Sequence, residues 1–284
     1  MPQPSSLEQP REYRITPRFL AGPTYTGDPG LQPLLDTGAT LTQDDLGNVY
    51  VTTPDQRIRL GFLPEYEGGE LWMVSAHSQA FAPPEWLVTF DLRVAPEIVG
   101  EFTTTLAAAH AKDPDSILGD RVGGLDVTDR LLENGWHLDT RSLAEVAYRS
   151  SDRLVTLHRR LGHLRHETEM AGTAERWLLE VGPPGYRWYA SASSNIPDHL
   201  LGALTTAAIN PTPVHREMWP SDLARLPAQA IATPTTPTPL EVARLRAATA
   251  RSASVPRSPA STLAYSTTTR PLALPKPADV GHSR

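Results

Sequence analysis

Polar and apolar residues alternate in short bursts along the first two hundred positions, which is the signature of half-buried strands. In Arg57-Ile58-Arg59-Leu60-Gly61-Phe62, the residues Ile58, Leu60 and Phe62 share one side. In Glu85-Trp86-Leu87-Val88-Thr89-Phe90, Trp86, Val88 and Phe90 do the same. Leu71–Ser75 supplies a further strand. Thr40–Gln43 and Val49–Thr52 are two short runs joined by the turn cluster Asp45-Leu46-Gly47-Asn48. The period then changes. Pro96 opens a helix, since proline lacks the amide that a first helical position leaves unused. Glu97 suits the dipole there, and Ile98, Val99, Phe102, Leu106 and Ala109 fall on one stripe. Ahead of the strands, Leu31–Leu35 forms a helical turn stopped by Gly38.

The same order comes twice. Leu34-Leu35-Asp36-Thr37-Gly38 matches Leu131-Leu132-Glu133-Asn134-Gly135, and Glu70-Leu71-Trp72 matches Glu175-Arg176-Trp177. Pro83-Pro84-Glu85-Trp86 is echoed by Pro183-Pro184-Gly185-Tyr186-Arg187-Trp188. In the second copy Val127–Leu132 is the lead helix. Ala144–Tyr148, Leu154–His158, Arg176–Val181 and Arg187–Ser191 are the strands, and Pro197 leads a helix with Leu200, Leu201, Leu204 and Ala208 on one side. A period of about 100 residues means domain-sized units, not a solenoid of 20–50-residue repeats. The expected fold is therefore α+β: two tandem units, each a mostly antiparallel sheet covered by its C-terminal helix, arranged about a pseudo-two-fold. The expected boundaries are an N-terminal extension over 1–29 with one strand at Arg11–Ile15, unit 1 over 30–112, a linker over 113–126, unit 2 over 127–216, and a Pro/Ala/Ser/Thr-rich disordered tail over 217–284.

Composition narrows the setting. The chain of 284 residues holds 28 prolines and no cysteine, so it has neither disulfides nor thiolate metal sites. No apolar run reaches the length of a membrane span, and Met1–Pro10 lacks a signal core, which makes a cytoplasmic protein with no membrane contact the expectation. Residues 1–218 carry 18 basic and 29 acidic side chains, a net of −11; residues 219–284 carry 8 and 3, a net of +5. An acidic body disfavours nucleic acid, whose affinity comes from cations that displace counterions.

Thr53-Pro54-Asp55-Gln56-Arg57-Ile58-Arg59-Leu60-Gly61-Phe62-Leu63-Pro64-Glu65 resembles the signature of an uncharacterised actinobacterial repeat family, common in Streptomyces and named for a Ser-Pro-Asp-Tyr motif. The resemblance runs on through Trp72, Pro83–Trp86 and the helix after Pro96. In the second copy it runs through Trp177, Gly182–Tyr186, Trp188–Ser193 and Pro197–Leu201, so that it spans roughly 30–216. The motif departs to Thr-Pro-Asp-Gln at 53–56 and to Ser-Ser-Asp-Arg at 150–153. Both variants keep turn chemistry, so the motif is expected to be a turn and not an active site. The family implies no activity.

Candidate chemistry is sparse. His158, His163 and His166 lie near Glu167 and Glu169, but His-Glu-x-x-Met lacks the second histidine of a zincin. Glu65, Glu67 and Glu70 suit a solvated hairpin better than an acid–base pair. Ser191, Ser193 and Ser194 lack a nucleophile elbow, and Ser194 or Asn195 is expected to cap the Pro197 helix. Aromatics on strands carry the most information. Trp188 and Tyr189 are adjacent, so one of them faces outward, with Arg187 beside it. Trp86, Arg187, Trp188 and Tyr189 are the candidate binding residues, set against core packing, which is the commoner place for an indole. No catalytic residue, metal or cofactor is assigned. The expected function is a non-catalytic interaction module with a protein partner. The alternative is single-strand nucleic-acid binding, resembling PUR and Whirly proteins at fold level alone; for that, Arg57, Arg59, Arg149, Arg153, Arg159, Arg160 and Arg165 would have to cluster on one sheet face.

Overall fold

The computed structural model describes residues 10–24, 27–64, 69–119 and 125–235. In chain order the elements are β1 (Arg11–Thr16), α1 (Asp28–Leu35), β2 (Thr40–Gln43), β3 (Val49–Thr52), β4 (Ile58–Phe62), β5 (Glu70–His77), β6 (Pro84–Asp91) and α2 (Pro96–Lys112). The second half contributes α3 (Leu125–Glu133), β7 (His137–Ser142), β8 (Glu145–Arg149), β9 (Val155–Arg160), α4 (His166–Met170), β10 (Trp177–Val181), β11 (Trp188–Ala192) and α5 (Asp198–Ile209). β12 (Val214–Met218), α6 (Pro220–Leu223) and β13 (Ile231–Pro234) follow. The α+β class and the two repeated units are thus seen directly.

The two sheets are one. Strand order is β2-β3-β4-β5-β6-β11-β10-β9-β8-β7, antiparallel throughout, so each repeat is a meander and the last strand of each meets the other at the centre. The order reads the same from either edge, as a pseudo-two-fold requires. At the seam Val88, Thr89 and Phe90 oppose Ala192, Ser191 and Ala190, and the Thr89 and Ser191 hydroxyls bond at 2.8 Å. A single hydrophobic cluster runs under both repeats. It joins the inward residues of the strands to Leu31 and Leu34 of α1, Ile98, Phe102 and Leu106 of α2, Val127 and Leu131 of α3, and Leu200, Leu201 and Leu204 of α5. These four helices therefore lie on one face. Phe102 sits edge-on to Trp86 at 6.4 Å and to Phe90 at 5.9 Å.

The duplicated sequence makes duplicated local geometry. Gly38 and Gly135 both adopt positive φ, 86° and 80°. Behind each, the helix closes with the same pair of bonds: Gly38 N to Leu35 O and Ala39 N to Leu34 O, and Gly135 N to Leu132 O and Trp136 N to Leu131 O. This is the Schellman arrangement, and glycine enters the left-handed region without a Cβ penalty. The Thr-Pro-Asp-Gln and Ser-Ser-Asp-Arg motifs are matching hairpin turns. Thr53 Oγ1 donates to Asp55 at 2.7 Å and accepts from Ile58 N at 3.0 Å. Ser150 Oγ donates to Asp152 at 2.5 Å and accepts from Val155 N at 3.0 Å. Gln56 and Arg153 both sit at φ 60°.

Several boundaries differ from expectation. Residues 217–235, assigned to a disordered tail, are folded: β12 and β13 flank β1 in a second, three-stranded sheet. Composition misled here because these strands need little apolar surface of their own. Their backbone groups pair with β1, and Val214, Met218 and Ala232 pack with Ile15 and Ala21 on a small second core. The rest of the tail, 236–284, lies outside the described residues. The described parts of the linker are also structured, for Ile117 is fully buried and α3 begins at Leu125, while 120–124 lie outside the described residues. Ser194 does not cap α5, whose first turn has no side-chain cap. Its hydroxyl donates instead to buried Glu169 at 2.8 Å.

Candidate binding face and cleft

Strand alternation turns one row of side chains into the core and leaves the next on the face away from the four long helices. Register across the seam places Gly61, Met73, Thr89, Ser191, Leu178 and His158 in one line on that open face. A neighbouring line in repeat 2 runs Arg149, Thr156, Glu180, Tyr189. Tyr50 on β3 and Tyr189 on β11 are each 39% exposed.

The four candidate residues separate accordingly. Trp86 and Trp188 belong to the core, at 0% and 2% exposure, and are corrected as binding residues. Their position on the inward parity of central strands decides this. Both indole N–H groups are satisfied there, the usual arrangement for a buried Trp: Trp86 Nε1 donates to Ile117 O at 2.7 Å and Trp188 Nε1 donates to Phe19 O at 2.8 Å. Tyr189 is the outward member of its pair. Arg187 lies beside it and bonds Glu180 at 2.7 Å.

Repeat 2 carries a charged chain on this face. His158, nearly buried, has Nδ1 2.6 Å from Glu145 and Nε2 3.9 Å from Glu180, which continues to Arg187. Asp91 accepts from Tyr189 N at 3.0 Å, and burial raises its carboxyl pKa against the bonds from Arg93 and Tyr189 that lower it. His163 and His166 do not join His158; His166 Nε2 bonds Pro84 O at 3.0 Å. Among the described residues no three His, Asp or Glu side chains converge as a metal site. Of the acidic trio, Glu70 begins β5, while Glu65 and Glu67 lie outside the described residues. Near the opposite edge of β5, Ser75 Oγ lies 3.1 Å from His77 Nε2, whose Nδ1 bonds Ala82 O at 2.8 Å. That carbonyl fixes the proton on Nδ1, and the pair locks the β5–β6 connection.

The seven arginines do not gather. Arg57 pairs with Asp115, Arg149 with Asp139 and Arg160 with Glu175. Arg59 donates to Ala80 O. Arg159 faces the core side, 5.1 Å over the Trp177 ring. Arg153 is in its turn and Arg165 precedes α4.

Sequence reasoning missed a cleft of about 620 Å³ at one end of the molecule. It opens between residues 19–24, the loop around Gly185 and Tyr186, and the chain from Arg216 to Pro227. Its wall is fixed by Arg216, which forks onto Glu97 of α2 at 2.6 and 2.7 Å. Arg18 ties the same N-terminal strap to Glu101. Val214-His215-Arg216-Glu217-Met218 carries no polar–apolar alternation, because the inward-facing Arg216 is charged, so no sequence signal marked this strand.

No helix among the described residues is long and apolar enough to cross a membrane. No curated protein and no solved structure matches the chain. Residues 52–111 and 150–214 each match the model of SPDY, a domain of unknown function (DUF317), one match in each of the two halves built around the twin turns, which supports a two-copy repeat without assigned function.

Proposed function

We propose that the protein is a non-catalytic binding module that takes a protein partner on the open face of its ten-stranded sheet. One observation carries the reading: the four long helices pack on one face only, leaving on the other a continuous surface that crosses both repeats, with Tyr50 and Tyr189 exposed on it. Tyrosine combines a large apolar area with a polar tip and few rotamers to freeze, which suits protein recognition. The arginines near this face are already engaged by carboxylates or a carbonyl, which weighs against the phosphate-led attraction that single strands need.

The test compares wild type with a Tyr50→Glu/Tyr189→Glu variant of unchanged circular dichroism. Both are used as bait in lysate of the source organism and titrated with single-stranded oligonucleotide. A protein retained by wild type and released by the variant supports the reading. Equal retention by both removes the sheet face, and oligonucleotide binding that weakens steeply with salt replaces the protein partner with nucleic acid.

A further inference from the structure

The cleft beside Trp188 is separate from the open face and has the make-up of a small-molecule site. Its volume of about 620 Å³ falls within the roughly 300–1,000 Å³ of ligand pockets. The floor is apolar: Phe19, Trp188 and Met218 are buried, and Leu226 closes one side. The Trp188 N–H is already consumed by Phe19 O, so the floor presents its ring and no donor. Both Nη groups of Arg216 are consumed as well, by Glu97, Gly22 O and His215 O, leaving only its buried Nε unpaired.

Two guanidinium groups remain at the rim. Arg93 gives one bond, from Nη1 to Gly185 O at 3.3 Å. Arg225 is 80% exposed and reaches Asp222 only at 3.7 Å. Each has five N–H donors, so both keep donors for a ligand. Glu217 and Asp222 also line the cleft, and Asp222 lies 3.7 Å from Arg225, so a bound anion would compete with Asp222 for Arg225 and would have to stand clear of Glu217.

We propose that this cleft binds a small amphipathic carboxylate, with an aromatic or acyl body on Phe19, Trp188 and Met218 and the carboxylate between Arg93 and Arg225. Apolar burial supplies the affinity, and charge-assisted bonds supply the selection for an anion.

The experiment is calorimetric titration of the full chain with 1-naphthylacetate and with its neutral counterpart 2-(1-naphthyl)ethanol. The expected result is saturable one-site binding of the acid, about tenfold tighter than the alcohol. Arg225→Ala and Arg93→Ala should each weaken the acid and leave the alcohol unchanged. Met218→Trp should fill the floor and abolish both; Leu226→Trp, nearer the surface, does the same job if Met218→Trp does not fold. Absence of saturable binding, or binding indifferent to both tryptophan variants, overturns the site. Equal affinity for acid and alcohol overturns its anion selectivity.

Discussion

The two repeats share a skeleton and differ in what they hang on it. In repeat 1 the lead helix α1 is pressed against α2. A Cβ on Gly100 would stand 2.5 Å from Pro29 O, one on Gly30 would meet the Trp72 ring at 2.7 Å, and Thr103 Oγ1 donates to Gly30 O at 3.0 Å. In repeat 2 the corresponding helices α3 and α5 pack less closely. Among the described residues, a Cβ on Gly202 would meet only Val127, at 4.0 Å. The open faces differ too. Gly61 sits as far past Thr53 as His158 sits past Ser150, and Ser75 as far past Trp72 as Glu180 past Trp177. Repeat 1 is thus smooth where repeat 2 carries its Glu145–His158–Glu180–Arg187 chain. Duplication preserved the turns, caps and core indoles, which set the fold, and released the positions that only face outward.

The comparison can be broken most forcefully in the core. Trp86→Ala and Trp188→Ala should each cost about 3–5 kcal/mol in denaturant unfolding, because each removes a buried ring and orphans a carbonyl. A difference of several kcal/mol between them would deny that they are equivalent. The helix contact gives an opposite-sign pair. Gly100→Ala should destabilise by about 1–3 kcal/mol, since its new methyl meets backbone, whereas Gly202→Ala should stabilise by about 0.5–1 kcal/mol through helix propensity. Equal shifts in melting temperature for the two would erase the distinction. The twin turns should answer alike: Thr53→Ala and Ser150→Ala each leave a strand N–H short of its partner, for about 1–2 kcal/mol by chemical denaturation.

The smallest effect is electrostatic and sits at the Thr53–Gln56 turn. Burial works to raise the Asp55 pKa, but bonds from Thr53, Arg57 N and His110 outweigh it and hold the carboxyl below its ordinary value. A lowered folded-state pKa contributes stability that is present above the unfolded value and lost as pH falls through the folded one. Unfolding curves at falling pH should therefore show a loss in wild type that Asp55→Asn lacks. Parallel curves would refute it.

Much of the fold was legible because it rests on local rules. Alternation marked the strands, proline marked the start of α2, and glycine closed the lead helices. The fusion of two sheets into one was not legible, since Val88 and Ala192 look the same whether their strand is an edge or a centre. The second, three-stranded sheet was hidden for a related reason. β12 and β13 are held by backbone bonds to β1, a partner some two hundred residues away by the register Tyr13–Arg216, and composition does not report pairing. At the open face, alternation correctly required one of Trp188 and Tyr189 to point outward. Only coordinates could say which, because parity depends on how β11 docks on β6.

The seam between β6 and β11 carries the account, and the absence of cysteine from the chain allows it to be probed cleanly. Thr89→Cys/Ser191→Cys places two thiols at directly opposed positions of that seam, within the reach a disulfide requires. Under mild oxidation, rapid, complete intramolecular cross-linking of monomer is expected, read by mass and by thiol titration, with the native circular dichroism retained. Persistent free thiols in the folded monomer, or linkage only between molecules, would mean that the two repeats do not share one sheet.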